Sequence, residues 1–316
     1  MQYSETGHQT ADEGVYSRLP AATRTQYPFV GHFRRVAGFR YHYLDEGHGQ
    51  PIVMVHGNPT WSFYYRNLVK SLSAKYRCIV PDHIGCGFSE KPDLQDYPYD
   101  FARRLSDFEE FINQMELDQF HLVVHDWGGM IGIAFATRHL EKIKSLTISN
   151  TAAFRLPANK RLPWSLKLCR SKTLGPMMIN SFNAFCRGAL KYCVKRRTLD
   201  QATRAGYLAP YGDPQDRTAV LRFVQDIPLQ PEDPSYRDIV AVEQSLSKLN
   251  QIPKTIIWGR EDFVFDDHFL GIWQQIFPAA PVHVLEGVGH YVLEDAFEDV
   301  LPLMERFLAK VEGDHG

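Results

Sequence analysis

The stretch HLVVHDWGGMIG, His121 to Gly132, changes character halfway along. Its first half is a short apolar run ending at Val124, the pattern of a buried strand. Its second half is glycine-rich and small, the pattern of a closely packed helix. A strand that turns abruptly into a helix pushes one side chain into the open, and Gly128 and Gly129 let neighbouring backbone pass close by. The side chain presented here is Asp126, where such turns usually present serine. An ordinary aspartate has a pKa of about 3.9, so at neutral pH it is already an anion and needs no base to become a nucleophile.

Working outward, strands and helices alternate. FRYHYLDEG, PIVMVHG, YRCIVPD, FHLVVHD and SLTISNT read as strands, with helical patterns over SFYYRNLVKSLSAK and FARRLSDFEEFINQMEL between them and a helix from Gly128. The rhythm resumes with KTIIWG, a helix over DDHFLGIWQQIF, PVHVLEG and a last helix over AFEDVLPLMERFLAKV. Short Val- and Ile-rich runs separated by helices predict a mostly parallel sheet covered on both faces. Between the two blocks the strand pattern disappears. Prolines 157, 163, 176, 210, 214, 228, 231 and 234 punctuate short helical patterns such as MMINSFNAFCRGALKYCV. A helical excursion after a sheet strand is a lid over the strands' carboxyl ends, where ligands bind in open α/β sheets. The expected organisation is therefore a polar N-terminal arm over 1–27, a core segment over 28–153, a helical cap over 154–235 and a second core segment over 236–316.

A carboxylate is a weak nucleophile, best used where a good leaving group departs from carbon and leaves an ester that a second step resolves. Alkyl halides, epoxides and strained lactones answer to that description. The departing group needs donors, and two are at hand: the indole N–H of Trp127 and the amide of Asn58 in HGNPTW. Each also has a plain reading, core filling for Trp127 and a turn for Asn58. Their backbone N–H groups are the expected pair of oxyanion donors, one after a strand end and one after the nucleophile. His290, in VGHYVLED after the last strand, stands where a base is expected in this chain order. The acid that orients it is expected to be Asp262 in WGREDFVFD, with Glu261, Asp266 and Asp267 as nearby substitutes. Asn150 ends the SLTISN strand but is no acid and cannot compete for that role. Trp164, Leu166, Met177, Met178, Ile179, Phe182 and Phe185 are candidate tunnel residues, or else simply the lid's own core.

Bulk composition narrows the classes. The chain has 316 residues, 44% of them hydrophobic, and a net charge of −2, so no whole-chain basic field exists to hold nucleic acid. Five cysteines (Cys78, Cys86, Cys169, Cys186 and Cys193) show no CxxC pair and read as reduced packing thiols. No apolar run is long enough to span a bilayer, and no secretory start is visible, which implies a soluble cytoplasmic protein. No metal, flavin or nucleotide motif is visible, so no cofactor is expected. Charge is uneven: residues 151–235 hold 14 Lys and Arg against 6 Asp and Glu, about +8, leaving about −10 for the rest. That is either a solvated lid surface or a docking face for a partner or an acidic surface.

With HGNPTWSFYYRNL, PDHIGCGFSEKP, VHDWGGMIG, WGREDFVFD and GHYVLED in order, the chain resembles the haloalkane dehalogenase branch of the α/β-hydrolase superfamily over nearly everything after residue 28. NTAAFRLP, FNAFCRGA, YLAPYGDPQDR and RFVQDIPL look more specifically like the cis-β-lactone decarboxylases of bacterial long-chain olefin biosynthesis. The resemblance implies an α/β-hydrolase fold: a mostly parallel eight-stranded sheet flanked by helices, with an inserted helical cap. It makes Asp126 the nucleophile, His290 the histidine and Asp262 the acid, with Asn58 and Trp127 cradling the leaving group. It implies conversion of a cis-3-alkyl-4-alkyl-oxetan-2-one, a small hydrophobic substrate, into a cis-alkene and carbon dioxide. Haloalkane dehalogenase activity through an Asp alkyl-ester is the alternative. Epoxide hydrolysis, with lid tyrosines Tyr192, Tyr207 or Tyr211 as acids, and a non-catalytic binding protein on the same fold are further ones. The family also implies a multi-enzyme assembly with other enzymes of olefin biosynthesis, for which the basic cap is a docking face. One departure is Val124, where the elbow pattern expects a small residue and looser packing is therefore anticipated.

Overall fold

The computed structural model describes residues 9–10 and 15–313. One sheet runs through it, made of β1 (Gln9–Thr10), β2 (His32–Val36), β3 (Phe39–Glu46), β4 (Pro51–Val55), β5 (Arg77–Pro81), β6 (Phe120–His125), β7 (Ile143–Ser149), β8 (Lys254–Gly259) and β9 (Val282–Leu285). The spatial order is β1-β2-β3-β5-β4-β6-β7-β8-β9. The pairs β1–β2, β2–β3 and β3–β5 are antiparallel and the rest are parallel. The seven runs read as strands are β3 to β9; β2, not read from the sequence, brings the count to the eight that the resemblance implies, and the two-residue β1 adds a ninth at the edge.

Every residue of β6 is buried, as a central parallel strand with helices on both faces requires. One face carries the helices Phe101–Gln114 and Trp127–Arg138, the other Arg66–Leu72 and Phe297–Gly313. The helix Phe101–Gln114 shows why such segments fold as they do. Asp100 caps it by accepting from Arg103 N at 2.8 Å, and Phe101, Leu105, Phe108, Phe111 and Ile112 recur at helical spacing on its buried side.

Chain direction reverses around β4. The chain leaves β4 toward β5 and then crosses back to β6 on β4's other side, so the carboxyl ends of β4 and β6 flank a topological switch point, where open α/β sheets bind ligands. Asn58 follows β4 and Asp126 follows β6. Between β7 and β8 lie the helices Trp164–Arg170, Ala184–Tyr192, Gln201–Leu208, Thr218–Gln225 and Tyr236–Ser245, joined by shorter helical turns. The pattern MMINSFNAFCRGALKYCV, expected as one helical stretch, breaks at Asn183, whose left-handed backbone separates a π-turn over Met177–Ser181 from the helix Ala184–Tyr192.

The described part of the polar N-terminal arm packs against the cap. A 3₁₀ turn over Val15–Arg18 and a helix over Ala21–Gln26 bury Tyr16, Leu19 and Tyr27, and Thr23 Oγ1 donates to Ala202 O at 2.8 Å in a cap helix. Its apolar residues are too far apart to show periodicity, and tertiary contact orders them. Residues 1–8 and 11–14 of that arm lie outside the described residues. All five cysteines are free and buried, and no described helix is long and apolar enough to cross a membrane.

Candidate active site

Asp126 sits in the turn between β6 and the helix Trp127–Arg138 with φ 52° and ψ −132°, a conformation that costs a non-glycine residue of order 1–3 kcal/mol. Its surroundings fix it there. Asp126 N donates to Asn150 O at 3.1 Å, and its carbonyl accepts from Gly129 N at 2.9 Å and Thr151 Oγ1 at 2.5 Å. The elbow is crowded enough to demand its glycines: a Cβ on Gly128 would lie 2.0 Å from Val55 O, and one on Gly129 1.8 Å from Thr151 Oγ1. Val124 does not loosen it. Gly132, on the facing helix, supplies the missing space, since a Cβ there would lie 2.7 Å from Val124 Cγ1.

The carboxylate of Asp126 is held at both oxygens. Oδ1 accepts from Asn58 N at 2.5 Å, and Oδ2 faces His290 Nε2 at 3.5 Å. On the far side of the ring, His290 Nδ1 donates to Asp262 Oδ2 at 2.7 Å. Among the four acids considered, Asp262 alone reaches the histidine: Asp266 pairs with Lys160, Asp267 pairs with Arg260, and Glu261 is exposed. Asp262 is steadied in turn by Val264 N at 2.7 Å and Asn150 Nδ2 at 3.0 Å.

Charges in this cluster support one another. Burial opposes ionisation of Asp126, but the hydrogen bond and positive charge of His290, with the Asn58 amide, outweigh it and hold the carboxyl below its ordinary range. Burial likewise works against the His290 cation, yet the charge of Asp262 and the hydrogen bonds to both carboxylates push its pKa up to about 10. Both shifts favour the charged forms, an imidazolium facing the Asp126 carboxylate. His125, stacked at 4.6 Å between centroids on Tyr64 and packed against His290, is pushed down to about 3 by burial and by the His290 charge. It is therefore neutral, and its Nε2–H donates to the backbone carbonyl of His290 at 2.8 Å.

Asn58 and Trp127 both line a cavity of about 620 Å³ that lies over Asp126 and His290. One amide hydrogen of Asn58 goes to Val220 O of the cap at 3.1 Å, which leaves its second donor for a ligand. The Trp127 ring packs on Phe223, also from the cap, with 5.3 Å between centroids. Most of the lining is apolar. Trp164, Leu166, Met178 and Phe185 take part, whereas Ile179 is buried in the cap's own core and Met177 and Phe182 face solvent. The split falls within one turn, since Met178 reaches the cavity while its neighbours Met177 and Ile179 on the same π-turn point elsewhere. Tyr207 and Tyr211 do not reach the cavity: the first donates to Glu294 Oε1 at 2.5 Å and the second to Thr60 O at 3.3 Å. Tyr192 lines it. Among the described residues no group of three or more His, Cys, Asp or Glu side chains is placed to hold a metal ion.

Three contributors were not singled out from sequence. Asn150 is no acid, yet it orients one. His125 ends the strand before the elbow. Asp295, fully buried, accepts from Gly289 N at 2.7 Å and from Lys195 N at 2.8 Å, tying the His290 loop to the end of a cap helix. An acid inside the apolar block HYVLED was the available signal for it.

Comparisons with known proteins place the fold. A sequence profile for the alpha/beta hydrolase fold matches residues 50–297. The chain is 47% identical over 289 residues to a cis-3-alkyl-4-alkyloxetan-2-one decarboxylase of Shewanella oneidensis, covering 91% of each chain. It is 42% identical to a decarboxylase of the same name from Xanthomonas campestris pv. campestris, covering 86% of this chain and 93% of the relative. Among solved structures, a haloalkane dehalogenase of Bradyrhizobium elkani superposes with a TM-score of 0.79 at 25% identity, covering 90% of this chain and 99% of the other.

Proposed function

The chain belongs to the α/β-hydrolase fold family, and on that premise we propose that it is a β-lactone decarboxylase, converting a cis-3-alkyl-4-alkyl-oxetan-2-one into a cis-alkene and carbon dioxide with Asp126 as nucleophile. The observation that carries the reading is the likeness to the two decarboxylases along nearly the whole chain. The ionised Asp126 at the floor of a large apolar cavity supports it.

The geometry favours one of the two possible points of attack. Attack on the lactone carbonyl would create an oxyanion in need of two backbone donors, but the Asn58 N–H is already engaged with Asp126 Oδ1, which leaves only the Trp127 N–H of the expected pair. Attack by Oδ2 on the ring carbon bearing oxygen needs no such donor. The C–O bond of the ring breaks as the bond to Asp126 forms, and its electrons leave on a carboxylate. Asn58 Nδ2, the Trp127 indole and the His290 imidazolium are the donors placed to receive that anion. Backside attack inverts the carbon and puts the new ester oxygen opposite the carboxylate. Loss of carbon dioxide then sends its electron pair into the C=C bond and expels Asp126 as carboxylate, leaving the two alkyl groups cis. No water is consumed, and His290 acts by charge and hydrogen bonding, held by Asp262.

A haloalkane dehalogenase would use the same residues with His290 activating water against the Asp126 ester, and one assay separates the two. Purified protein is given a cis-dialkyl β-lactone and, separately, a dibromoalkane, while alkene, carbon dioxide and bromide are followed. Alkene with carbon dioxide is expected; bromide release without alkene would overturn the reading. Epoxide hydrolysis is left with Tyr192 alone as a lid acid, since Tyr207 and Tyr211 are committed elsewhere. A cytoplasmic setting belongs to the same reading and is supported by the free thiols. A long-chain substrate would reach water poorly, and the cap's charge suits its delivery by a companion enzyme of the route or an anionic surface.

A further inference from the structure

From Lys142 to Leu199 the chain contains no Asp or Glu at all. The cap's cations therefore find carboxylates only on other segments: Arg155 pairs with Glu243, Lys160 with Asp266, Arg170 with Asp233, Arg196 with Asp299 and Arg197 with Glu298. Arg161, Lys167, Lys172, Arg187, Lys191 and Lys195 have no carboxylate within ion-pairing distance among the described residues, and all six are exposed.

Apolar side chains are exposed in the same region. Trp164 is 79% exposed, Phe182 65% and Tyr192 54%, and Leu174, Met177 and Phe263 are also exposed; outside this region the large exposed hydrophobics are only Val30 and Leu94 among the described residues. Trp164, Tyr192 and Phe263 also line the cavity, as does Lys195, so these residues mark where it meets solvent. Lys167 lies one helical turn from Trp164, and Lys191 one turn from Arg187. The short helices that carry them pack in sequence, from Trp164–Arg170 through Leu174–Ser181 to Ala184–Tyr192, and the first and last of them place Trp164 and Tyr192 on the cavity.

We propose that this rim is a docking surface for an anionic lipid bilayer, placing the cavity mouth at the headgroup level so that an alkyl substrate passes into it without crossing water. Trp and Tyr amid Lys and Arg is the composition that settles at a bilayer interface, and unpaired cations there are drawn to anionic headgroups. Four of the six free cations are lysines, a residue depleted from protein–protein interfaces, which favours lipid over an acidic protein. The site and its long-chain ligand rest on the decarboxylase reading, but the surface does not: binding to vesicles is measured without any substrate.

The test is co-sedimentation of the full chain with phosphatidylglycerol–phosphatidylethanolamine vesicles and with pure phosphatidylcholine vesicles. Binding to the first, weak binding to the second and release by 0.5 M salt are expected. Lys167, Lys172, Arg187 and Lys191, which do not line the cavity, are then changed together to Gln. At roughly fivefold per charge, affinity is expected to fall by about 100-fold or more, with an unchanged melting temperature. A blue shift of tryptophan fluorescence on binding, lost in Trp164→Phe, is expected from the wild-type chain. Absence of binding to anionic vesicles at low salt overturns the proposal, as does binding that the quadruple variant retains. A salt-sensitive complex with an acidic protein, in a chain that ignores vesicles, also overturns it and makes the rim a protein interface.

Discussion

Asn150 Nδ2 donates at 3.0 Å to the same Asp262 oxygen that receives His290 Nδ1 at 2.7 Å. Its side-chain oxygen accepts from Gly259 N at 2.7 Å, so the amide bridges the end of β8 to the acid. Asn150→Ala removes a hydrogen bond to a charged group, worth about 1.5–3 kcal/mol, and frees Asp262 to turn away from His290. Turnover is expected to fall about tenfold to hundredfold with little change in KM, read from steady-state kinetics of alkene formation. A wild-type kcat in this variant would remove Asn150 from the positioning chain.

Asp126→Ala deletes the attacking oxygen. A loss of about 10⁴-fold or more in turnover is expected, as for nucleophiles elsewhere, with the fold retained by circular dichroism. Mass spectrometry of wild-type protein quenched during turnover should locate a covalent adduct on the peptide carrying Asp126. Normal activity without that carboxylate would end the covalent mechanism.

The two carboxylates give His290 a distinctive pH signature. A donor role for the imidazolium predicts kcat/KM that is level through neutrality and falls as pH rises through about 10; a water-activating base in the free enzyme would give a profile that rises instead. Stability follows the same sign. The native pKa of His290 lies above the value of about 6.5 expected in the unfolded chain, so its contribution is complete below the latter and is lost as pH climbs through about 10. Asp126, held low, contributes above its unfolded pKa and ceases to do so as pH falls through its native one. Asp262→Asn should pull the alkaline limb toward neutrality.

Val124 and Gly132 exchange bulk across the elbow. Gly132→Ala should destabilise the fold by about 1–3 kcal/mol, because the new methyl meets Val124 Cγ1 in a fully packed region. Adding Val124→Ala should recover much of that loss, helped by the preference of about 1 kcal/mol for alanine over glycine in a helix. Thermal melts of the two single variants and the double give the coupling directly, and additive effects would show that the contact is not the cause.

Arg66 and Glu294 form a buried bidentate pair that also accepts the Tyr207 hydroxyl from the cap. Glu294→Leu strands a buried guanidinium and is expected to cost about 3–5 kcal/mol by denaturant unfolding. Arg66→Leu with Glu294→Leu should be far milder than the sum of the two single changes.

Much of this protein could be read before any coordinates. The abrupt change from buried strand to glycine-rich helix at residues 121–132 located the elbow, and regular alternation of strand and helix patterns on either side specified the sheet, because both signals are carried by neighbouring residues. Lid lining was less legible. Trp164, Leu166, Met178 and Phe185 reach the cavity while Met177, Ile179 and Phe182 do not, and the π-turn over Met177–Ser181 that sends adjacent side chains to different surroundings leaves only a weak local mark.

The linear sequence alone determined which fold would form and which side chain its sharpest turn would offer, since local periodicity and backbone sterics dictate both. Tertiary structure decided which of four nearby acids faces His290, that Asn150 steadies that acid, that the Asn58 backbone amide is committed to Asp126, and that Gly132 makes room for Val124. Each of those facts joins residues many positions apart, and a pairing across a folded core is set by how strands and helices close on one another rather than by the identity or spacing of the residues along the chain.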